Sequence, residues 1–278
     1  MDTLTRSASL RERVAVWRKA GETVALIPTR GTLHKGHMSL VAEAQERAAH
    51  VIVSVFVDPP RLEGHTLEAD RELLAKVGAD VLFVPPVQEI FAMGRELAAV
   101  VDIPELAHVL EGAGRPGHLS ALMTVHVKLL NIVRPDIALF GERDFQQFVM
   151  VRRLVDDLFL STDVVGCPTL RDSDGVAVAT VNRSLSPEER SRAPRLSATL
   201  ETVAKQIEAG GRDYEALQGH GVELLNSAGF TTEYFQVRQA TDLGRIRPGT
   251  RDLVLLAAAR LGDKRLTDSR RVRLIDRY

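Results

Sequence analysis

Along the first 168 residues, short apolar runs alternate with amphipathic stretches, and this alternation constrains the fold more than any other feature of the chain. Val24-Ala-Leu-Ile27 and Val51-Ile-Val-Ser-Val-Phe-Val57 are continuous apolar runs of strand length. Strands that read this way are buried on both faces, as in a parallel sheet. A loop with Gly31 and Gly36 and a helical pattern over about 37–48 separate them. Strand, loop, helix and strand within about 35 residues make a βαβ unit. The pattern recurs. A polar helix around 69–77 precedes Val81-Leu-Phe-Val84, and Ala99-Val-Val-Asp-Ile103 reads as a further strand. Helices around 119–133 and 145–158 precede Ile137-Ala-Leu-Phe140 and Thr162-Asp-Val-Val-Gly166. Leu10, Val14 and Trp17 mark a helix before Gly21. The expected fold is α/β, a doubly wound parallel sheet with helices on both faces.

Near residue 169 the pattern changes. Segment 170–187 is polar and turn-rich, a long helix over about 188–209 ends at Gly210-Gly211, and a second spans about 214–228. Thr231–Val237 and Leu253–Ala259 read as strands of a separate small sheet. The chain therefore divides into residues 1–168 and a smaller α+β domain, 169–278. Two domains suit 278 residues at about 150 residues each.

Lys and Arg number 36 against 37 Asp and Glu, a net charge of −1. That balance disfavours general binding to nucleic acid or anionic membrane. One cysteine, Cys167, cannot form an intramolecular disulfide, so a reducing compartment is the simplest setting and a small buried apolar role the simplest reading. The N-terminal stretch lacks a continuous apolar core, and no run approaches about 18 apolar residues. A soluble, cytoplasmic protein is expected.

Ligands of doubly wound sheets sit beyond the carboxyl ends of strands, and three loops qualify. The first, Pro28-Thr-Arg-Gly-Thr-Leu-His34-Lys-Gly-His37, places two histidines around Gly36 at a helix start. Backbone N–H groups there favour a phosphate, and two imidazoles can donate hydrogen bonds to charge developing on it. Two ordinary surface histidines are the plain alternative. Zinc is a weaker one, because the Glu of H-E-x-x-H is missing. The second loop, Phe140-Gly-Glu-Arg-Asp-Phe-Gln-Gln147, offers a glycine, a cation, carboxylates and amides, or simply a helix start capped by Asp144. The third, Asp58-Pro-Pro-Arg61, is otherwise a rigid proline turn.

These residues carry a resemblance to the pantothenate synthetase (pantoate–β-alanine ligase) family. Ile27-Pro-Thr-Arg-Gly-Thr-Leu-His-Lys-Gly-His-Met-Ser-Leu40 is similar to the family's P-T-M-G-A-L-H-E-G-H-x-S-L, and Val53-Ser-Val-Phe-Val-Asp-Pro59 to its S-x-F-V-N-P. Glu111-Gly-Ala-Gly-Arg-Pro-Gly-His118, Phe140–Gln147, Pro168–Gly175 with Asn182-Arg183 and Leu185–Arg190, and Ala258–Gly262 with Arg265 and Asp268 resemble later blocks in family order. The resemblance implies a Rossmann-like nucleotide- and acid-binding domain of the H-x-G-H type with a C-terminal lid, ATP, Mg²⁺ and a homodimer. It also implies an ATP-dependent ligase. An acid and ATP form an acyl-adenylate and diphosphate, then an amine attacks and AMP leaves. By the same resemblance, His34, His37 and Arg143 are catalytic. Arg30, Gly36, His37, Gly141, Glu142, Arg143, Asp144, Leu170, Val178 and Thr180 bind ATP. Pro28, Arg30, Asp58, Arg61 and Gln147 bind acid or amine, and Asp70 supports Mg²⁺, unless it is simply a charge on an exposed helix face.

This chain departs from the family pattern within the site. Arg30 stands for a methionine, Lys35 for a glutamate, Asp58 for an asparagine, Arg61 for a glutamine and Arg143 for the catalytic lysine. Val178-Ala-Thr-Val181 replaces M-S-S-R. Arginine is not a conservative swap for lysine at a tight phosphate site, and Val181 brings no charge. Two new arginines and a new carboxylate point to substrates other than, or less strictly limited to, pantoate and β-alanine. Asp58 pairing with Arg61 is the plain alternative. Two further functions stand beside the ligase: a catalytically weakened nucleotide-binding homologue, and a nucleotidylyltransferase that stops at an adenylylated product.

Overall fold

The computed structural model describes residues 1–56 and 67–274. The described residues pack as two units. One comprises Met1–Gly141 with Met150–Cys167, and the other comprises Glu142–Val149 with the chain from Pro168 onward.

In the first unit the elements run β1 (Asp2–Leu4), α1 (Ser7–Lys19), β2 (Val24–Thr29), α2 (Lys35–Gln45), β3 (His50–Val55), α3 (Leu67–Val77) and β4 (Val81–Phe83). The short α4 (Val87–Ile90) and α5 (Pro104–Ala107) follow, then α6 (His118–Val133), β5 (Ile137–Gly141), α7 (Phe145–Asp157), whose first five residues belong to the second unit, and β6 (Asp163–Cys167). Among the described residues six strands form one parallel sheet in the order β1-β4-β3-β2-β5-β6. From β2 the chain steps outward through β3 to β4, then returns to β5 on the other side of β2. The reversal between β2 and β5 is where such sheets bind ligands. Ala25, Ile27, Val51, Val53, Leu82 and Leu139 pack against Leu40, Val41 and Ala44 of α2 and Leu74 of α3 on one face. Helix α6 packs on α1 and against β2.

The parallel α/β architecture expected from the apolar runs is present. The strand expected at Ala99–Ile103 is not. It is tied to side chains of α6 instead of a ladder, once through its backbone and once through a side chain: Val101 N–H donates to Thr124 Oγ1 at 2.9 Å, and Asp102 Oδ1 accepts from Ser120 Oγ at 2.5 Å. β1 was not expected, being short and polar at a sheet edge. Cys167 is buried at the end of β6 and takes part in no disulfide.

The second unit carries α8 (Pro187–Arg192), α9 (Pro194–Glu208), α10 (Tyr214–Ser227), β7 (Thr231–Gln239), β8 (Asp252–Leu261) and β9 (Lys264–Arg273). The one long helix expected over 188–209 is two. Pro194 lacks an N–H and starts α9, while Ser186 and Glu189 close a capping box at the head of α8. The strands form an antiparallel sheet in the order β7-β8-β9. Leu196, Leu200, Val203 and Ile207 of α9 and Leu225 of α10 share a core with Phe235, Leu253, Leu255 and Ala257. Helix α10 comes so close to β7 that a Cβ at Gly221 would lie 2.6 Å from the Phe235 ring.

Candidate active site

The loop after β2 reverses direction through two consecutive left-handed residues, Gly31 (φ 76°) and Thr32 (φ 56°). A β-branched residue is an outlier there and needs support from its surroundings. Asp70, in α3, supplies it. Its Oδ2 accepts the Thr32 N–H at 3.0 Å and its Oδ1 accepts the Leu33 N–H at 2.6 Å. The carboxylate is only 1 % exposed. Leu33 is fully buried in the core, and the loop delivers His34 to the head of α2.

The two histidines there are organised together. His37 Nδ1 accepts the His34 backbone N–H at 3.2 Å, and the rings lie 4.0 Å apart between centroids. A ring nitrogen that accepts carries no proton, so the neutral His37 ring holds its proton on Nε2. Gly36 sits at the second position of α2, among the amides that a helix start leaves for a ligand. Pro28 is half-buried in β2 and Arg30 is exposed just beyond it. Asp58 and Arg61 lie outside the described residues.

Asp70 was expected to support Mg²⁺ and, failing that, to be an exposed helix charge. It is buried, and each of its oxygens is engaged by a loop amide. That burial replaces the exposed helix charge with a side chain built into the loop. Among the described residues no group of three or more His, Cys, Asp or Glu could hold a metal ion. The geometry makes Asp70 a positioning residue for the histidine loop.

The other sequence-selected residues belong to the second unit, apart from Gly141 at the end of β5. Glu142–Asp144 form a 3-10 turn leading into α7, which carries Gln147. Arg143 pairs with Asp144 at 2.8 Å. The turn is held from β9: Ser269 Oγ donates to the Glu142 carbonyl at 2.5 Å, and Arg271 lies 3.6 Å from the Glu142 carboxylate. Arg271 is itself gripped by Asp252 through two hydrogen bonds.

Leu170 and Val178 face each other in a tight hairpin, and Thr180 begins the 3-10 turn that follows, 180–184. Val178 N–H donates to the Leu170 carbonyl at 2.9 Å, and Arg171 bridges to Ala177. Arg171 also forks onto Asp268 of β9 at 2.6 and 2.9 Å. Burial pushes the Asp268 carboxyl upward, while Arg171 and Arg143 pull it back. Leu170 is exposed, and Val181 packs toward the core of this unit.

The sequence reading missed three elements of this arrangement. It did not find Asp70's grip on the loop, the Arg171–Asp268 fork, or His126. His126 sits on α6 with its ring stacked on Phe140 at the end of β5. A histidine on an otherwise apolar helical stripe, with Met123, Leu129 and Leu130 around it, was the available signal.

Comparison with known proteins adds an independent line. The family model described as pantoate-beta-alanine ligase matches residues 2–277. The pantothenate synthetase of Thioalkalivibrio sulfidiphilus is 42 % identical over 277 residues, covering 97 % of both chains. The crystal structure of the pantothenate synthetase from Thermus thermophilus superposes with a TM-score of 0.86 at 35 % identity, over 97 % of this chain and 98 % of that one. A Francisella tularensis pantoate-beta-alanine ligase, solved with beta-gamma ATP and beta-alanine, gives 0.75 at 28 % identity over 97 % of each.

Proposed function

Since the chain belongs to the pantoate-beta-alanine ligase family, we propose that it joins pantoate to β-alanine with ATP, yielding pantothenate, AMP and diphosphate. The observation that carries this reading is the histidine loop, clamped at two amides by Asp70 and delivering His34 and His37 to a helix start. A pantoate carboxylate oxygen attacks the α-phosphorus of ATP, and the bond to diphosphate breaks. The amine nitrogen of β-alanine then attacks the acyl carbon, the bond to AMP breaks, and the nitrogen loses a proton.

His37 Nε2–H and the helix-start amides of α2 are donors for phosphate oxygens as charge moves onto the leaving diphosphate. Arg143 supplies a planar cation from the turn that β9 holds, and Gly141, Glu142 and Asp144 shape that turn. Leu170, Val178 and Thr180 border the nucleotide in this reading, and Pro28, Arg30, Asp58, Arg61 and Gln147 border the acid and amine. Mg²⁺ accompanies ATP as part of that substrate. The same resemblance supports a homodimer and a cytoplasmic setting. No described helix is long and apolar enough to cross a membrane.

The test is acid-dependent ATP–diphosphate exchange by the purified chain, with pantoate beside a panel of hydroxy, keto and dicarboxylic acids. Exchange with pantoate, followed by β-alanine-dependent AMP release, is the expected result. Exchange with another acid alone would reassign the substrate to one that Arg30 and its neighbours prefer. Silence across the panel with ATP still bound would turn the chain into a nucleotide-binding homologue, as the uncharged Val178–Val181 stretch would favour.

A further inference from the structure

One arginine of the second unit takes no part in the reaction above, yet it closes the segment on which the nucleotide reading depends. The hairpin after β6 turns at Asp172-Ser-Asp-Gly175. Gly175 N–H donates to the Asp172 carbonyl at 2.9 Å, and Gly175 is left-handed, with φ 90°. Two carboxylates stand close together on this turn, and Arg190, on α8, reaches back to both. Its Nη1 donates to Asp174 Oδ2 at 2.5 Å, and its Nη2 donates to Asp172 Oδ2 at 3.1 Å and to Asp174 Oδ1 at 3.3 Å. The hydrogen bond from Arg190 holds the Asp174 carboxyl below its ordinary value.

The path of the chain makes this bridge more than a surface ion pair. From Asp172 the backbone runs through the turn to Val178 and Thr180, through the 3-10 turn, and into α8. Arg190 and Asp172 are 18 residues apart in sequence, and their bond closes that path into a ring. Val178 and Thr180 lie within the ring, and Leu170 is tied to it through the Val178 N–H. Asn182 Nδ2 donates to the Ala177 carbonyl at 2.9 Å across the same segment, and the Ser186–Glu189 capping box fixes the head of α8. Without the guanidinium, two like charges within the span of one side chain repel each other, and the ring opens into a free loop. An isolated exposed ion pair is worth little, but a planar fork shared by two carboxylates fixes the geometry of what it holds.

Resting on the reading in which Leu170, Val178 and Thr180 border ATP, we propose that Arg190 is a positioning residue for the nucleotide, acting through the shape of this ring and touching no substrate. It governs how ATP is held and leaves the acid and the amine alone.

The experiment uses the full chain and measures KM separately for ATP, pantoate and β-alanine. Arg190→Ala is expected to raise KM for ATP about tenfold, the scale of one charge-assisted hydrogen bond. KM for the acid and the amine, and kcat at saturation, should stay within about twofold. Arg190→Lys puts a point charge where a fork stood and should recover part of the loss. Adding Asp174→Asn to Arg190→Ala removes the repulsion and should also recover part of it, a rescue that general damage to the fold would not give. Asp172→Asn serves if the Arg190 variants fold poorly, and it should raise KM for ATP about threefold. An unchanged KM for ATP in the folded variants, or equal rises for all three substrates, would overturn the proposal and leave Arg190 a surface tie. If the wild type exchanges with no acid, the ligase reading fails, and calorimetric titration with ATP decides this one separately. Weaker binding by Arg190→Ala than by the wild type supports it; equal binding, or none by either protein, overturns it.

Discussion

Two strand-to-helix junctions carry most of the candidate chemistry, and they are held in opposite ways. The junction after β2 is fixed through its donors: the Asp70 carboxylate takes the N–H groups of Thr32 and Leu33. The junction after β5 is fixed through its acceptors: Ser269 and Arg271 of β9 hold the carbonyl and carboxylate of Glu142. One buried anion sets the first loop, a shared pattern of hydroxyl and cation the second. The contrast teaches that the histidine loop leans most on one buried carboxylate, with longer bonds to Thr29 and His37 beside it, whereas the Arg143 turn leans on several groups of β9.

The largest expected effect tests that dependence. Asp70→Ala removes two charge-assisted hydrogen bonds of about 2 kcal/mol each, so kcat/KM for adenylation should fall roughly 10³-fold. A fall under tenfold would break the contrast. Asp70→Asn sharpens it: activity should drop while the Mg²⁺ concentration for half-maximal rate stays put, whereas a metal ligand would shift it.

Next is the Arg171–Asp268 fork, which anchors the hairpin of the second unit. Asp268→Asn leaves Arg171 facing a neutral group and should cost about 3 kcal/mol of stability, measured by chemical denaturation. Replacing both residues with apolar ones should recover much of that loss. If the single change costs nothing, the second unit is not organised by its ions.

A smaller effect distinguishes the first unit by pH. His126 has its folded value at about 4 against 6.5 ordinarily. A base depressed in the folded state binds protons more readily when unfolded, so its contribution is intact above about 6.5 and is lost as pH falls toward 4. Between pH 7 and pH 5 the wild type should lose about 2 kcal/mol more than His126→Gln. Matching pH profiles for the two proteins would remove this buried imidazole from the account.

The smallest effect is at the distributed junction. Ser269→Ala should lower the adenylation rate about fivefold, the scale of one neutral hydrogen bond, with ATP affinity unchanged. A loss as large as that of Asp70→Ala would erase the contrast.

The sequence made the frame of both junctions legible, because buried parallel strands are continuous apolar runs and His34-Lys-Gly-His37 and Gly141-Glu-Arg-Asp144 follow two of them. It did not reveal what holds them. Asp70 lies 38 residues from Thr32, and an acid early in an amphipathic helix looks like an ordinary surface charge. β9 reads Lys-Arg-Leu-Thr-Asp-Ser-Arg-Arg-Val-Arg. Its buried positions include Asp268 and Ser269, so apolar alternation, the usual mark of a strand, is nearly absent. Ala99–Ile103 failed in the opposite sense: apolar enough for a strand, it is drawn onto α6 by Thr124 and Ser120.

The grouping of Glu142–Val149 with the chain beyond Pro168 bears on how this molecule can be divided. The backbone passes between the units at Gly141–Glu142, Val149–Met150 and Cys167–Pro168. No single cut separates them. A fragment ending at residue 168 would retain Arg143 yet lose Ser269 and Arg271, leaving its turn without the strand that shapes it. Gene fragmentation, domain grafting or circular permutation of this chain must therefore treat an internal eight-residue segment, 142–149, as the property of a distant C-terminal hairpin.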